Sequence, residues 1–173
     1  MITPFNKNGA VDYPALQRNT EHLINSDVGF LVVLGTTAET PTLSFEEQRS
    51  VLDFIIELNN NRLPIVAGLA SNNTKALCDR ISNFDFKGID AVLSASPNYN
   101  KPSQNGIIEH FTHVADSSPK PIILYNVPSR TGSNMLASTT LKLAENDNII
   151  AIKEASGDLS QVDEILRNKP DGF

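Results

Sequence analysis

PIILYNVPSRTG (Pro121–Gly132) and NIIAIKEASGD (Asn148–Asp158) contain two apolar runs of the same construction, each closing on one reactive polar group. Tyr125 follows Ile122, Ile123 and Leu124, and Lys153 follows Ile149, Ile150, Ala151 and Ile152. Short, unbroken, β-branched runs of this kind are the signature of strands buried on both faces in a parallel sheet. Side chains alternate along a strand, so Ile123 and Tyr125 share one face of the first run, and Ala151 and Lys153 share one face of the second. A phenol and an amine are thereby expected in one interior. Desolvation there would favour the neutral amine, and a neutral amine is a nucleophile toward carbonyls. The plainer alternative has Lys153 reaching a surface or pairing with Glu154.

Outward from this pair the pattern repeats. GFLVVLG (Gly29–Gly35), LPIVAGLA (Leu63–Ala70) and DAVLSAS (Asp90–Ser96) read as further buried strands. Helical patterns separate them. Asp12 is a good N-cap for a helix reaching about Ser26, with Pro14 in its first turn and His22 on its face. Ser44 caps a second, with Glu46 and Glu47 in the first turn and Val51, Leu52, Ile55 and Ile56 following, until Asn59-Asn60-Asn61 ends it. Further helices are predicted from Thr74 to about Phe84, through His110 and Val114, over Leu136–Glu145, and over Leu159–Asn168 behind Asp158.

Strands therefore begin near Gly29, Pro64, Ala91, Pro121 and Asn148, each followed by a helix. That alternation predicts a parallel α/β sheet, either doubly wound or a (β/α)8 TIM barrel. A doubly wound nucleotide binder carries a glycine-rich turn after its first strand, and GTTAET is not one. In a barrel the chemistry sits at the carboxyl ends of strands, where Thr36, Tyr125 and Lys153 all fall. A complete barrel has eight strands in about 250 residues. The expectation is thus a single partial TIM-barrel catalytic domain over residues 1–173, with about five to six βα units, one a remnant at Met1–Phe5, and without the last strands and the C-terminal helical region.

A net charge of −6, a pI near 5.0 and unclustered basic residues argue against a nucleic-acid partner. No apolar run approaches a membrane span and the N-terminus lacks a signal-peptide layout, so a cytoplasmic protein with no membrane partner is expected. Cys78 stands alone and reads as a small packing residue. His110 and His113 are spaced as two metal ligands can be, but no third His or local Cys joins them, so they read as structural and no metal is predicted.

TPF (Thr3–Phe5), GTTAET (Gly35–Thr40), RLPIVAG (Arg62–Gly68), SPNYNKPSQNG (Ser96–Gly106), ILYNVPSRTG (Ile123–Gly132) and AIKEASGD (Ala151–Asp158) together resemble the dihydrodipicolinate synthase family. That family lies within the pyruvate-dependent class I aldolases, which also include N-acetylneuraminate lyase. The motifs occur in the family's order over essentially the whole chain. The resemblance implies a lyase of lysine and diaminopimelate biosynthesis that condenses pyruvate with aspartate 4-semialdehyde. Lys153 would form the Schiff base, with no other cofactor, and Tyr125, Thr36 and Tyr99 would relay protons.

In the same family the tyrosine matching Tyr99 enters from a neighbouring subunit of a homotetramer built as a dimer of dimers. Thr36 and Thr37 match its grip on the pyruvate carboxylate, Glu39 a loop-holding position, and Arg130 the clamp on the aldehyde substrate's carboxylate. Neuraminate lyases lack that arginine, which favours the synthase; the alternatives are a related lyase or aldolase, or an inactive truncated fragment. Two departures stand out. Ala38 replaces a glycine, where a positive φ would be harder to adopt. Asn72 matches a lysine-inhibition residue, yet Ala76 and Asn98 replace that pocket's acidic residue and tyrosine, so feedback inhibition is not expected.

Overall fold

Five strands alternate with seven helices in the computed structural model, which describes residues 1–173. The chain forms two compact units, residues 1–68 with 86–91, and residues 69–85 with 92–173.

In the first unit, β1 (Leu31–Val33) pairs in parallel with β2 (Ile65–Gly68), Leu31 opposite Ile65 and Val33 opposite Ala67. Both strands are covered, which is why their sequences are continuously apolar; all four residues of β2 are buried. β1 is shorter than GFLVVLG predicts. Phe30 is 50% exposed and Leu34 turns the backbone left-handed at φ 59, so pairing ends on either side of three residues. Helix α1 (Tyr13–Ile24) starts on Asp12, whose carboxylate accepts from the Ala15 N–H, and leaves His22 exposed in its last turn. Helix α2 (Phe45–Asn59) starts on a full capping box between Ser44 and Glu47, worth about 1 kcal/mol. It buries Val51, Leu52 and Ile55 and stops where Asn60 adopts φ 45. Met1–Phe5 is not a sheet strand: Phe5 makes an isolated antiparallel bridge to Val11.

The second unit carries β3 (Ala91–Ala95), β4 (Ile122–Asn126) and β5 (Ile149–Glu154) with helices α3 (Thr74–Ser82), α4 (Gln104–Ser117), α5 (Pro128–Thr131), α6 (Ala137–Leu143) and α7 (Leu159–Asn168). Asn73, Ser103 and Asp158 cap α3, α4 and α7 through their side chains. The α5 turn, which includes Arg130, has no counterpart in the sequence reading. β3 pairs in parallel with β4, and β4 with β5. β5 departs from the buried strand expected: only Ile149 is buried, while Ile150 and Lys153 are exposed. In this chain β4 covers one edge of β5 and no strand covers the other. No helix is long and apolar enough to cross a membrane.

His110 and His113 do not act together. On α4, His110 lies among the core residues Ile107, Phe111 and Val114 and meets the Thr74 hydroxyl through Nδ1 at 2.8 Å, whereas His113 is exposed. Burial, with His113 nearby as a second positive charge, pushes the His110 pKa down to about 4 from 6.5. The unfolded chain therefore binds a proton between those values that the folded chain refuses. Stability is fully present above pH 6.5 and falls as pH drops toward 4, by up to about 3 kcal/mol from this group. Denaturant titrations of the full-length protein across pH 7 to 4 should show that loss, and His110→Gln should flatten it.

Candidate active site

The site is built at the carboxyl ends of strands. Tyr125 is the fourth residue of β4 and Lys153 the fifth of β5, and the two are register partners. Lys153 Nζ stands 4.4 Å from the centroid of the Tyr125 ring. This juxtaposition depends on a register shift: Ile122 pairs with Ile149, but Ile123 pairs with Ala151. Ile150 is the extra residue. Were the pairing to run on from Ile122–Ile149 without that shift, Tyr125 would oppose Ile152, and Lys153 would fall opposite Asn126.

Tyr125 is 6% exposed, whereas Lys153 is exposed. The side chain expected to share an interior with the phenol is exposed here. The alternative of a pair with Glu154 also fails. Alternation sends the Glu154 carboxylate to the other face, where it accepts from Asn126 Nδ2 at 2.9 Å and Gln161 Nε2 at 2.9 Å.

Arg130 lies on the α5 turn that follows β4 directly. Pro128 starts this turn with φ preset for a helix, and Gly132 ends it at φ 79. The Arg130 side chain is exposed, and none of the chain's ion pairs involves it. Its guanidinium fork is available to a carboxylate. Tyr99 is 87% exposed at φ 72, tied to this turn by its N–H, which donates to the Thr131 carbonyl at 3.2 Å. Its ring turns outward, and the unit does not pack it against Tyr125. Asn72 Nδ2 donates to the Asn98 carbonyl at 3.2 Å in the same loop.

Thr36 and Thr37 belong to the first unit, in a 3₁₀ turn (Thr36–Ala38) after β1, and both are exposed. The left-handed residue of the GTTAET loop is Glu39 at φ 54, not Ala38. Ala38 instead buries its methyl at 1% exposure, so the alanine meets no conformational penalty. The Glu39 side chain is exposed and holds nothing. The loop is fastened by Thr40, which sequence reasoning passed over: its hydroxyl donates to the carbonyls of Leu34 at 2.8 Å and Gly35 at 3.3 Å. Gln48, buried on α2, donates in turn to the Thr40 carbonyl at 3.2 Å. Gly68 at the end of β2 permits the arrangement, since a Cβ there would lie 2.2 Å from the Leu34 carbonyl oxygen.

The model of the Dihydrodipicolinate synthetase family matches residues 1–173. The 4-hydroxy-tetrahydrodipicolinate synthase of Azobacteroides pseudotrichonymphae is 51% identical over 174 residues, covering 100% of this chain and 59% of that protein. Among solved structures, the dihydrodipicolinate synthase of Bacillus anthracis superposes with a TM-score of 0.95 at 40% identity, over 100% of this chain and 59% of the other. The chloride-inhibited enzyme of Acinetobacter baumannii, complexed with pyruvate, superposes with a TM-score of 0.91 at 38% identity, over 98% and 60% of the two chains. The chain thus spans about three-fifths of the length of these relatives. Its fold is part of a (β/α)8 barrel.

Gly68→Ala should force the Leu34 carbonyl away and destabilise the protein by roughly 1–3 kcal/mol. Gly29→Ala, with nothing within 4 Å of its Cβ, serves as the control and should stay within about 0.5 kcal/mol of wild type in the same denaturant titration.

Proposed function

The chain belongs to the dihydrodipicolinate synthetase family, and from that premise we propose that it carries the Schiff-base chemistry of a 4-hydroxy-tetrahydrodipicolinate synthase. One observation carries the reading: the Lys153 amine stands over the Tyr125 ring as its register partner, and no ion pair of the chain occupies it.

In the proposed reaction the lone pair of Lys153 Nζ attacks the ketone carbon of pyruvate. The carbinolamine loses water to give an iminium, and its positive nitrogen draws electrons so that the methyl group releases a proton and the enamine forms. The enamine carbon attacks the aldehyde of aspartate 4-semialdehyde, whose amine then closes the ring as Lys153 is released. The covalent lysine is the electron sink and no further cofactor is called for. Tyr125 moves protons to and from the carbinolamine oxygen, with Thr36 as the intermediate hydroxyl. Thr36 and Thr37 grip the pyruvate carboxylate through hydroxyls and turn amides. Arg130 binds the carboxylate of the second substrate.

The outward ring of Tyr99 supports its action in the site of a second copy, and so a homo-oligomer; the assembly is read as a dimer of dimers, and its location as the cytoplasm. The pyruvate complex of the Acinetobacter relative supports the first substrate.

Borohydride added to the full-length protein with pyruvate should leave a stable adduct on Lys153, read by mass spectrometry of its peptide, and Lys153→Ala should leave none. Absence of the adduct in wild type ends the reading. Tyr125→Phe should lower kcat by about 10²–10³-fold. Arg130→Met should raise KM for aspartate semialdehyde and leave KM for pyruvate nearly unchanged. Condensation with N-acetylmannosamine in place of the semialdehyde would reassign the second substrate.

A further inference from the structure

Each of the two reactive residues is followed by a polar one on the opposite face: Asn126 after Tyr125, Glu154 after Lys153. These two are themselves register partners. Asn126 is fully buried and Gln161, on α7, is 6% exposed. The four side chains of Asn126, Asn134, Gln161 and Glu154 close a ring of hydrogen bonds. Asn126 Nδ2 donates to Asn134 Oδ1 at 2.7 Å, Asn134 Nδ2 to Gln161 Oε1 at 2.8 Å, and Gln161 Nε2 to Glu154 Oε2 at 2.9 Å. Asn126 Nδ2 also reaches both Glu154 oxygens, at 2.9 and 3.1 Å.

The direction of the ring is determined from outside it. The Met135 N–H donates to Asn126 Oδ1 at 3.0 Å, so the Asn126 oxygen must face Met135 and its NH₂ must face Glu154. The Ser156 N–H donates to Glu154 Oε1 at 2.7 Å. Every group converging on Glu154 is a donor, which suits a carboxylate and does not suit an amide.

The backbone alone discriminates register poorly here. Ile149, Ile150 and Ile152 are interchangeable apolar residues, and a slip of one residue would reverse the faces of Lys153 and Glu154. The ladder contains such a shift, between Ile122 and Ile123, and the ring lies beyond it, at the end that bears the amine. We infer that Asn126, Glu154 and Gln161 are positioning residues: a polar clamp behind the sheet that holds β5 in the register presenting Lys153 to Tyr125. Through Asn134 and Met135 the same clamp holds the segment leaving the Arg130 turn. The inference rests on the Schiff-base reading above and deepens it.

The test uses the full-length protein and three readouts: the rate of borohydride-trapped adduct formation at saturating pyruvate, kcat with KM for pyruvate, and thermal melting. Glu154→Gln places an NH₂ among converging donors. It should slow trapping and kcat together by about tenfold or more, as misplacement of a reacting group does, with KM for pyruvate within about threefold because neither Thr36 nor Thr37 is a member of the ring. The exchange Asn126→Asp with Glu154→Gln moves the carboxylate to the partner strand and should regain part of what either single change loses. A folded Glu154→Gln that traps pyruvate at the wild-type rate, or an exchange that loses as much as the two single changes combined, overturns the clamp. If Glu154→Gln does not fold, Gln161→Met removes one donor and leaves the Asn126–Glu154 pair; trapping about threefold slower supports the clamp, and unchanged trapping overturns it. Wild-type protein that forms no adduct removes the Schiff-base reading itself, which distinguishes the two failures.

Discussion

The pairing of β4 with β5 is the constraint on which the proposed chemistry depends. Neither strand carries a site by itself. A phenol at the end of one and an amine near the end of the other become neighbours because the ladder shifts by one residue at Ile150 and then runs in step to Asn126 and Glu154. Strand side chains alternate with a period of two, so that single residue decides whether Lys153 meets Tyr125 or points to the opposite face. The polar ring behind the sheet lies where a slip would do most harm, and each of its members has a partner of the right kind. A satisfied network with Asn126 and Gln161 buried in it favours one arrangement, because any other leaves their donors or acceptors unpaired at a cost of about 1–3 kcal/mol each.

The threonine loop solves a different problem by similar means. On the proposed reading this loop offers hydroxyls and amides to an anion and must keep them exposed, and exposed backbone has little packing to hold it. Here the carbonyls of Leu34, Gly35 and Thr40 are fastened, and of the two exposed threonines Thr37 donates its hydroxyl to the Met1 carbonyl at 3.5 Å. Thr40 and Gln48 hold the inner side of the loop, and Gly68 lets the Leu34 carbonyl approach where any side chain would collide. Leu34 and Glu39 take up the two left-handed turns that reverse the chain. The buried methyl of Ala38 is then a packing choice, and φ at that position does not call for glycine.

Lys153, Arg130 and Tyr99 share an exposed setting for three separate reasons. Lys153 lies on β5, of which Ile149 alone is buried. Arg130 rides a single helical turn with its guanidinium outward, and Tyr99 is held by its backbone alone while its ring leaves the unit. A cation free of internal carboxylates suits a carboxylate ligand, and an unpacked tyrosine ring suits a partner surface.

The alternating apolar runs, their caps and the placement of Thr36, Tyr125 and Lys153 at strand ends were legible in the sequence, because burial on both faces and helix capping act through neighbours in the chain. So were the faces within each strand, for which a period of two suffices. The exposure of Lys153 was not legible, since an apolar run reports how a strand is usually covered and not what lies beside it. The shift at Ile150, the ring joining Asn126, Asn134, Glu154 and Gln161, and the hold of Thr40 on the loop were decided by tertiary structure alone. Each joins groups through space whose partners no local periodicity names, and only the folded ladder determines which side chains stand opposite one another.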